Sequence, residues 1–387
     1  MTDKTWLGGS TSFSSPGNWN PGGEPQKGDI AVFGSSAANK IVDISGLFIP
    51  ALAEWLFNGG DYTVNVLASV DLTGTGVEVM PGGTALINIG SADNVVFQNA
   101  SSAGSATYVA LGSRSSVQFE GHSDGGTASF VTVGSGSFVD FSGSSGPNGD
   151  NKISAGSIAG AGNFILGLDQ LLTVGSNKLE AVVTGHIFGG AGSSLTKVGA
   201  GTLTLSGTDT FSGTLTLQGG TVDLAGATAD SASLTVFGAG ARETLRIENA
   251  ALPGNHFTPS IAGFAFGDAI DLPGLPFKAG ATTSYNSSLH TLAVNITVGA
   301  LPLTLPDVDV TSVTLEFGTF PMRTVFRALQ RENWLYHHGS VENKRAGSIK
   351  AELLRAFFPD SPKWRSAVLR QSGEILRRGI DGFSRRR

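Results

Sequence analysis

Short apolar stretches recur along this chain, and several of them end in a Gly-Ser pair at a fixed interval of 22 residues. The four pairs begin at Gly90, Gly112, Gly134 and Gly156. Phenylalanine keeps the same interval at Phe97, Phe119 and Phe141. Two independent marks at one period predict a repeat architecture, in which each repeat is one turn built from short strands.

Apolar and polar residues alternate within these stretches, which is typical of strands that bury one face. We therefore predict an all-β chain that forms a parallel β-helix, a solenoid with about 19–22 residues per turn. Stacking at the repeat interval predicts two interior columns, one of the three phenylalanines and one of Ile87, Val109, Val131 and Ile153. An antiparallel sandwich also consists of short strands, but it needs no fixed interval between them.

A form of the repeat with a shorter interval begins at residue 195, as the spacing of Leu203 and Val222 shows. The stretch 195–224 reads LTKVGAGTLTLSGTDTFSGTLTLQGGTVDL. It closely resembles the autotransporter-associated β-strand repeat, whose unit reads approximately LxKxGxGTLTLSGxNTYSGxTxVxxGTLxL. Asp209 stands in place of the Asn of that unit, and Phe211 in place of the Tyr. The resemblance implies a parallel β-helix in an exported bacterial protein, often an adhesin or other surface factor, and it implies no catalytic residue.

The start of the chain resembles the opening of many secreted repeat proteins, in which an Asn-Trp pair precedes the first solenoid strand. Here the pair is Asn18-Trp19. A bare end of a β-helix exposes unpaired strand edges, so we expect Trp6, Trp19 and Trp55 to cover it. The alternative is a platform of exposed tryptophans that stacks on carbohydrate.

After the repeats, the segment Gly267-Asp-Ala-Ile-Asp-Leu272 resembles the GDxIDL element near the C-termini of bacterial proteins exported without an N-terminal signal. In some of those proteins this element accompanies calcium-binding repeats. Asp268 and Asp271 are weak candidates for calcium ligands, because two carboxylates do not fill its six to eight coordination positions. The other interpretation is that the two aspartates fix a turn through hydrogen bonds to backbone N–H groups.

Composition changes abruptly at Met322. Residues 1–321 hold 25 acidic and 10 basic residues, whereas residues 322–387 hold 6 acidic and 15 basic ones. Two apolar patterns at helical spacing follow, at Lys350–Phe358 and Lys363–Arg378. One interpretation is a basic amphipathic segment for a membrane surface or an acidic partner. The other is a sequence never selected with this fold, such as the product of a shifted reading frame.

These observations predict four regions. Residues 1–63 form a capping region, 64–236 the β-solenoid repeats, 237–321 a C-terminal β module with the GDxIDL element, and 322–387 a basic tail that is helical or disordered.

The acidic body argues against a nucleic-acid partner. Cysteine is absent, which excludes disulfide bonds and cysteine-ligated metals. No apolar stretch approaches the roughly 18 residues that span a bilayer.

Enzymatic function requires carboxylates that converge in one groove, as in β-helices that cleave polysaccharides. Asp71 and Asp93 lie one period apart, and stacking would bring their carboxylates together. Ser115 and Ser137 occupy the following positions, and no basic residue occurs in register, so two solvated turn aspartates are the other interpretation. Serine and histidine show no nucleophile or metal pattern, and we expect no cofactor.

We therefore expect a non-enzymatic bacterial protein, secreted or at the cell surface, that acts as an adhesin-like or surface-presentation scaffold. Its partners would be host or cell-surface glycans or proteins. No signal-peptide pattern follows Met1, and export through a C-terminal signal agrees best with the GDxIDL element. The alternatives are a carbohydrate-active β-helix enzyme that uses Asp71 and Asp93, and a purely structural spacer or decayed autotransporter-like fragment.

Overall fold

The computed structural model describes residues 1–46, 49–226, 231–239, 242–253, 257–265 and 267–273, together with the backbone of five later strands. Contacts group Met1–Arg331 into one compact unit. Residues 331–387, which include both helical patterns of the tail, lie outside the described part of the chain. Among the described residues, no helix is long and apolar enough to cross a membrane.

The described residues in the first part of the chain form strands β1–β13. They are Asp3–Trp6, Trp19–Asn20, Ile30–Gly34, Ile41–Ile44, Leu52–Asn58, Gly60–Val66, Val70–Val79, Gly83–Ile89, Asn94–Phe97, Thr107–Ala110, Ser116–Gly121, Ser129–Thr132 and Phe138–Ser144. Two short 3-10 helices occur in the described residues, at Pro16–Asn18 and Asn249–Ala251.

Further strands follow along the described chain. Strands β14–β27 are Lys152–Ala155, Ser157–Gly160, Asn163–Leu166, Leu171–Val174, Ala181–Val183, His186–Gly189, Ser194–Val198, Thr202–Leu205, Thr214–Gln218, Thr221–Leu224, Leu234–Phe237, Thr244–Ile247, Ser260–Ala262 and Ala269–Leu272. Strands β28–β32 are Thr282–Asn286, Thr291–Asn295, Leu303–Leu305, Val313–Phe320 and Arg323–Gln330.

These strands build a β-solenoid of about 11 turns, which confirms the predicted fold class. Sheet 1 has the order β19-β16-β13-β11-β9-β7-β5-β3-β1-β2, and sheet 2 has the order β31-β32-β27-β25-β23-β21-β18-β15-β12-β10-β8-β6-β4. Sheet 3 begins later and has the order β14-β17-β20-β22-β24-β26, whereas β28, β29 and β30 pair by themselves. Neighbours from β3 to β27 within sheets 1, 2 and 3 are parallel, so each strand stacks on its counterpart in the adjacent turn.

The phenylalanine column is confirmed, and the second predicted column is wrong. Phe119 stands opposite Phe97 in the parallel register. Tyr108, however, stands opposite Ile87, and Phe130 stands opposite Tyr108. Val109 and Val131 therefore face outward, because the step from Ile87 to Tyr108 is one residue shorter than the interval of the Gly-Ser pairs. A shift of one residue moves every side chain of a strand to the other face.

The N-terminal end is closed by aromatic side chains and by a reversed strand. Strand β2 runs antiparallel to β1 along its free edge. Trp6 and Trp19 are 1% and 2% exposed, and their ring centroids are 5.0 Å apart. Trp55 is also buried, but it lies inside the stack, between Ala31 and Val77. All three rings are covered, so the alternative of an exposed carbohydrate platform is wrong for them.

Parallel pairing runs without a break from β1 to β27, through the predicted boundaries at 63/64 and 236/237. The regions on either side of those boundaries belong to the same stack. The change of composition at Met322 also falls inside a sheet. Strand β32 pairs antiparallel with β27 and with β31, and Phe320 stands opposite Arg323 across the junction.

Candidate binding surface

One outward position of sheet 2 recurs in every turn, and together these positions form a row along the solenoid. The row consists of Asp43, Asn65, Asn88, Val109, Val131, Ala159, Val182, Thr204, Asp223, Arg246 and Asp271. We call it the sheet-2 row. Adjacent strands are about 4.8 Å apart, so its eleven positions extend over about 48 Å. It divides into three parts of different chemistry.

The first part is a ladder of amides. The Nδ2 group of Asn65 donates to Oδ1 of Asp43 at 2.8 Å, and the Nδ2 group of Asn88 donates to Oδ1 of Asn65 at 3.1 Å. Each side chain thus holds the next one in place across a turn. The ladder presents a fixed polar surface, which suits hydrogen bonding to a partner.

The middle part is apolar and partly open to solvent. Val109 and Val131 are half-buried, and Val182 is 48% exposed. Two neighbours at the next outward position, Leu111 and Val133, are 49% and 53% exposed. Surface apolar residues are ordinary when they are scattered, but Val109 and Val131 lie side by side on adjacent strands, and Leu111 and Val133 follow just beyond the ends of those strands.

The last part is charged. Arg246 stands between Asp223 and Asp271 in the register of β23, β25 and β27. Its Nε atom lies 3.8 Å from Oδ1 of Asp223, and its Nη2 group donates to Oε1 of Glu248 at 2.5 Å. Burial raises the pKa of the Asp223 carboxyl, and the Arg246 guanidinium opposes that rise. The arginine therefore offsets part of the cost of burying the Asp223 carboxylate.

Sheet 3 presents hydroxyl groups at the same spacing. Thr173, Thr196 and Thr216 stand in register on three successive strands, and the outer two are half-buried whereas Thr196 is only 6% exposed. In the neighbouring column, the Oγ atom of Ser194 accepts the backbone N–H of Thr214 at 2.9 Å. These hydroxyl groups spread along a flat face and do not converge on one point. Such a surface can make many weak contacts to a partner.

The carboxylate pair proposed for an enzyme does not stack as predicted. The register sets Asp71 opposite Val96, and Asp93 falls in the turn before β9. The N–H of Asp93 donates to the carbonyl of Gly90 at 3.3 Å. Ser115 and Ser137 make the same contact to the first residue of their turns, at 3.1 and 3.0 Å. Asp93 is therefore a turn residue, and burial raises the pKa of its carboxyl.

The calcium candidates also lie apart. Asp268 accepts the N–H of Ala265 at 2.8 Å and the N–H of Glu243 at 3.2 Å. Asp271 lies three residues further on and faces outward beside Arg246, because side chains alternate along a strand. The two carboxylates do not converge, and no group of three His, Cys, Asp or Glu residues that could hold a metal occurs in the described ranges. The contacts of Asp268 agree with the turn-fixing interpretation.

Two features of the structure were not predicted from the sequence: a contact between His122 and Ser145, and the burial of Lys197. The Nδ1 atom of His122 lies 2.9 Å from Oγ of Ser145, one turn away, but that hydroxyl also donates to the carbonyl of Gly121 at 3.0 Å. The serine proton is thus engaged with a carbonyl, which argues against an activated nucleophile.

The second is a buried lysine. Lys197 is 1% exposed, and its Nζ group donates to the carbonyls of Val198, Gly199 and Gly219. Burial lowers its pKa to about 8. These carbonyls lie at the ends of the adjacent strands β20 and β22, so the Lys197 side chain connects two successive turns of the solenoid. The alternation of Leu195, Thr196 and Lys197 points Lys197 inward and could have revealed it.

Two family models match parts of this chain. The passenger-associated-transport-repeat matches residues 195–224, and a family of unknown function, DUF2817, matches residues 278–371. No curated protein and no solved structure matches the chain. Residues 195–224 contain β20–β23, which stack in register with the turns on both sides. The chain thus carries a passenger-type repeat as an integral part of its β-solenoid, as the sequence resemblance predicted for this region.

Proposed function

We propose that this protein is a non-enzymatic bacterial β-solenoid, secreted or displayed at the cell surface, that binds host or cell-surface glycans or proteins through its flat outer faces. The observation that carries the proposal is the passenger-associated-transport-repeat, built into a continuous parallel stack. Passenger repeats of this kind fit a surface β-helix protein.

The outer faces support binding better than they support catalysis. Polar groups are spread along the sheet-2 row and along the threonines of sheet 3, at about 4.8 Å per turn. Asp71 and Asp93, the best carboxylate pair in the sequence, do not stand in register. A partner would therefore be held by many weak contacts, and no single side chain should dominate the affinity.

Localisation in the native bacterium is the first test. Peptides from residues 1–387 are quantified by mass spectrometry in cytosol, envelope and culture medium. We expect recovery in the envelope or the medium, and recovery only in the cytosol would contradict the proposal.

The same measurement tests the tail, since peptides C-terminal to Met322 are expected together with the rest. The DUF2817 match and the β31–β32 pairing both cross that junction, which supports a genuine segment.

Adhesion is the second test. The purified full-length protein is applied to immobilised glycans and to cells, and its binding is compared with three variants. Thr216→Ala alone is expected to weaken binding less than about twofold, whereas Thr173→Ala, Thr214→Ala and Thr216→Ala together should weaken it severalfold. Asp71→Ala with Asp93→Ala should leave binding unchanged. Glycan turnover that disappears in this last variant would instead favour the enzyme alternative.

A further inference from the structure

Two carboxyl groups stand one above the other inside the last two turns of sheet 2. The parallel pairing of β25 with β27 sets Thr244 opposite Ala269, and it thereby sets Glu243 opposite Asp268. Both side chains are buried, at 0% and 1% exposure. The preceding turn carries Gly220 at this position, because Thr221 stands opposite Thr244. The acidic pair is therefore confined to the end of the stack.

The surroundings of this pair do not stabilise two negative charges. Asp268 accepts two backbone N–H groups, from Ala265 and from Glu243 itself. Neither carboxyl oxygen of Glu243 receives a hydrogen bond from a described donor. Its carboxyl lies within hydrogen-bonding reach of the Asp268 carboxyl, a contact that requires a proton on one of the two groups.

No basic side chain in the described part of the chain forms an ion pair with Glu243 or Asp268. Arg242, the nearest basic residue in sequence, is exposed and extends over Gly267. Arg246 and Asp271 belong to the outward face of the same strands and stand opposite one another in the backbone register. On the other side of β27, strand β32 places Arg327 opposite Ala269 in the backbone register.

Buried carboxylates without a basic partner keep a proton that exposed ones lose. Burial, together with the Glu243 carboxyl, raises the pKa of Asp268 to about 7. An ordinary aspartate in an unfolded chain has a pKa near 3.9, so the folded form binds the proton more tightly. The resulting stabilisation is complete below about pH 4 and is lost as the pH rises through about 7.

We propose that Glu243 and Asp268 form an acid-closed latch, in which one shared proton holds the last parallel strand of the solenoid, β27, against β25. Loss of the proton leaves two buried negative charges face to face, and this loosens β27. Because β27 is also the strand on which β32 pairs, the latch controls the order of the C-terminal end of sheet 2. This inference concerns the end of the stack and does not depend on the proposed function.

Amide hydrogen exchange of the full-length protein, measured with a chelator present and corrected for intrinsic rates, tests the latch. Between pH 5.5 and pH 8.5 we expect protection of β27 to fall by about tenfold, while β21 in the middle of the stack keeps its protection. Equal protection of β27 at both pH values overturns the proposal.

Two variants make the assignment specific. In Glu243→Gln the amide can donate to the Asp268 carboxylate, so we expect protection of β27 to change much less with pH than in the wild type, because only burial still raises the pKa of Asp268. The matched control is Glu248→Gln on the same segment, outside the latch, which should behave like the wild type. A pH dependence as large in Glu243→Gln as in the wild type, or one that appears only in the absence of chelator, also overturns the latch.

Discussion

Phe119 stacks on Phe97 of the preceding turn, with ring centroids 5.1 Å apart and ring planes inclined by 10°. Phe141 stacks on the other side of Phe119, with centroids 5.0 Å apart. One ring is thus held between two others in three successive turns. In a solenoid each turn contacts only its neighbours, so such interfaces supply most of the stability.

Phe119→Ala should therefore destabilise the protein by about 3–5 kcal/mol, since it removes both stacking contacts and leaves a cavity. Denaturant unfolding followed by circular dichroism measures the loss. Phe188, which is 39% exposed on the outer face of sheet 1, is the matched control. Phe188→Ala should cost less than about 1 kcal/mol, and equal losses at the two positions would contradict the interior column.

The N-terminal tryptophans differ in their hydrogen bonds. The Nε1 group of Trp19 donates to the carbonyl of Phe13 at 2.7 Å, whereas the Nε1 group of Trp55 has no partner among the described residues. Trp19→Phe should cost about 1–3 kcal/mol more than Trp55→Phe, because only the first change leaves a buried carbonyl unsatisfied. Thermal or denaturant unfolding of the two variants compares them directly. A larger loss for Trp55→Phe would contradict the assignment of the cap.

Lys197 gives a prediction for alkaline pH. Its pKa is about 8 in the folded protein and about 10.5 when exposed, so folding favours its neutral form. Its contribution to stability is present above about pH 10.5 and is lost as the pH falls through about 8. Between these values the wild type should gain stability relative to Lys197→Met, by at most about 1.4 kcal/mol per pH unit. A difference that is independent of pH from 7 to 10 would contradict a buried lysine.

Asp93 occupies a turn position that serine occupies in the next two turns. Burial raises the pKa of Asp93, so its ionised form is destabilising there and this effect grows as the pH rises above about 4. Asp93→Ser should accordingly be neutral or stabilising at pH 7, because the hydroxyl of Ser115 accepts the N–H of Gly112 without carrying a charge. Asp93→Ala is the control. It should be less stable than Asp93→Ser by about 1 kcal/mol, through loss of the turn hydrogen bond.

The solenoid could be predicted from the sequence because Phe97, Phe119 and Phe141 keep a constant interval and stack in three successive turns. The predicted column of Ile87, Val109, Val131 and Ile153 was wrong, because the step from Ile87 to its partner Tyr108 is one residue shorter than the 22-residue interval of the Gly-Ser pairs. The predicted stacking of Asp71 on Asp93 was wrong for a related reason, since the step from Asp71 to its partner Val96 is longer than that interval. Turn length varies between the strands, and a period averaged over several turns cannot report it.

The burial of the Glu243 and Asp268 carboxyl groups was also not predicted from the sequence. Glu243, Leu245 and Ile247 alternate with outward residues, and Asp268, Ile270 and Leu272 do the same one turn later. This alternation places both carboxyls inside the solenoid. Their stacking depends on the register between two strands of different turns, which the single sequence does not contain.

The reversed strand at the edge of sheet 1 has a consequence for self-association. A parallel solenoid offers each new turn the same backbone pattern, so identical molecules could continue one another end to end into a filament. Strand β2 runs against the stack at the edge of sheet 1, and antiparallel partners require a different spacing of hydrogen bonds. A second copy that arrives at sheet 1 beyond β2 meets a reversed strand in place of the parallel template, so β2 acts as a terminator of polymerisation at that edge.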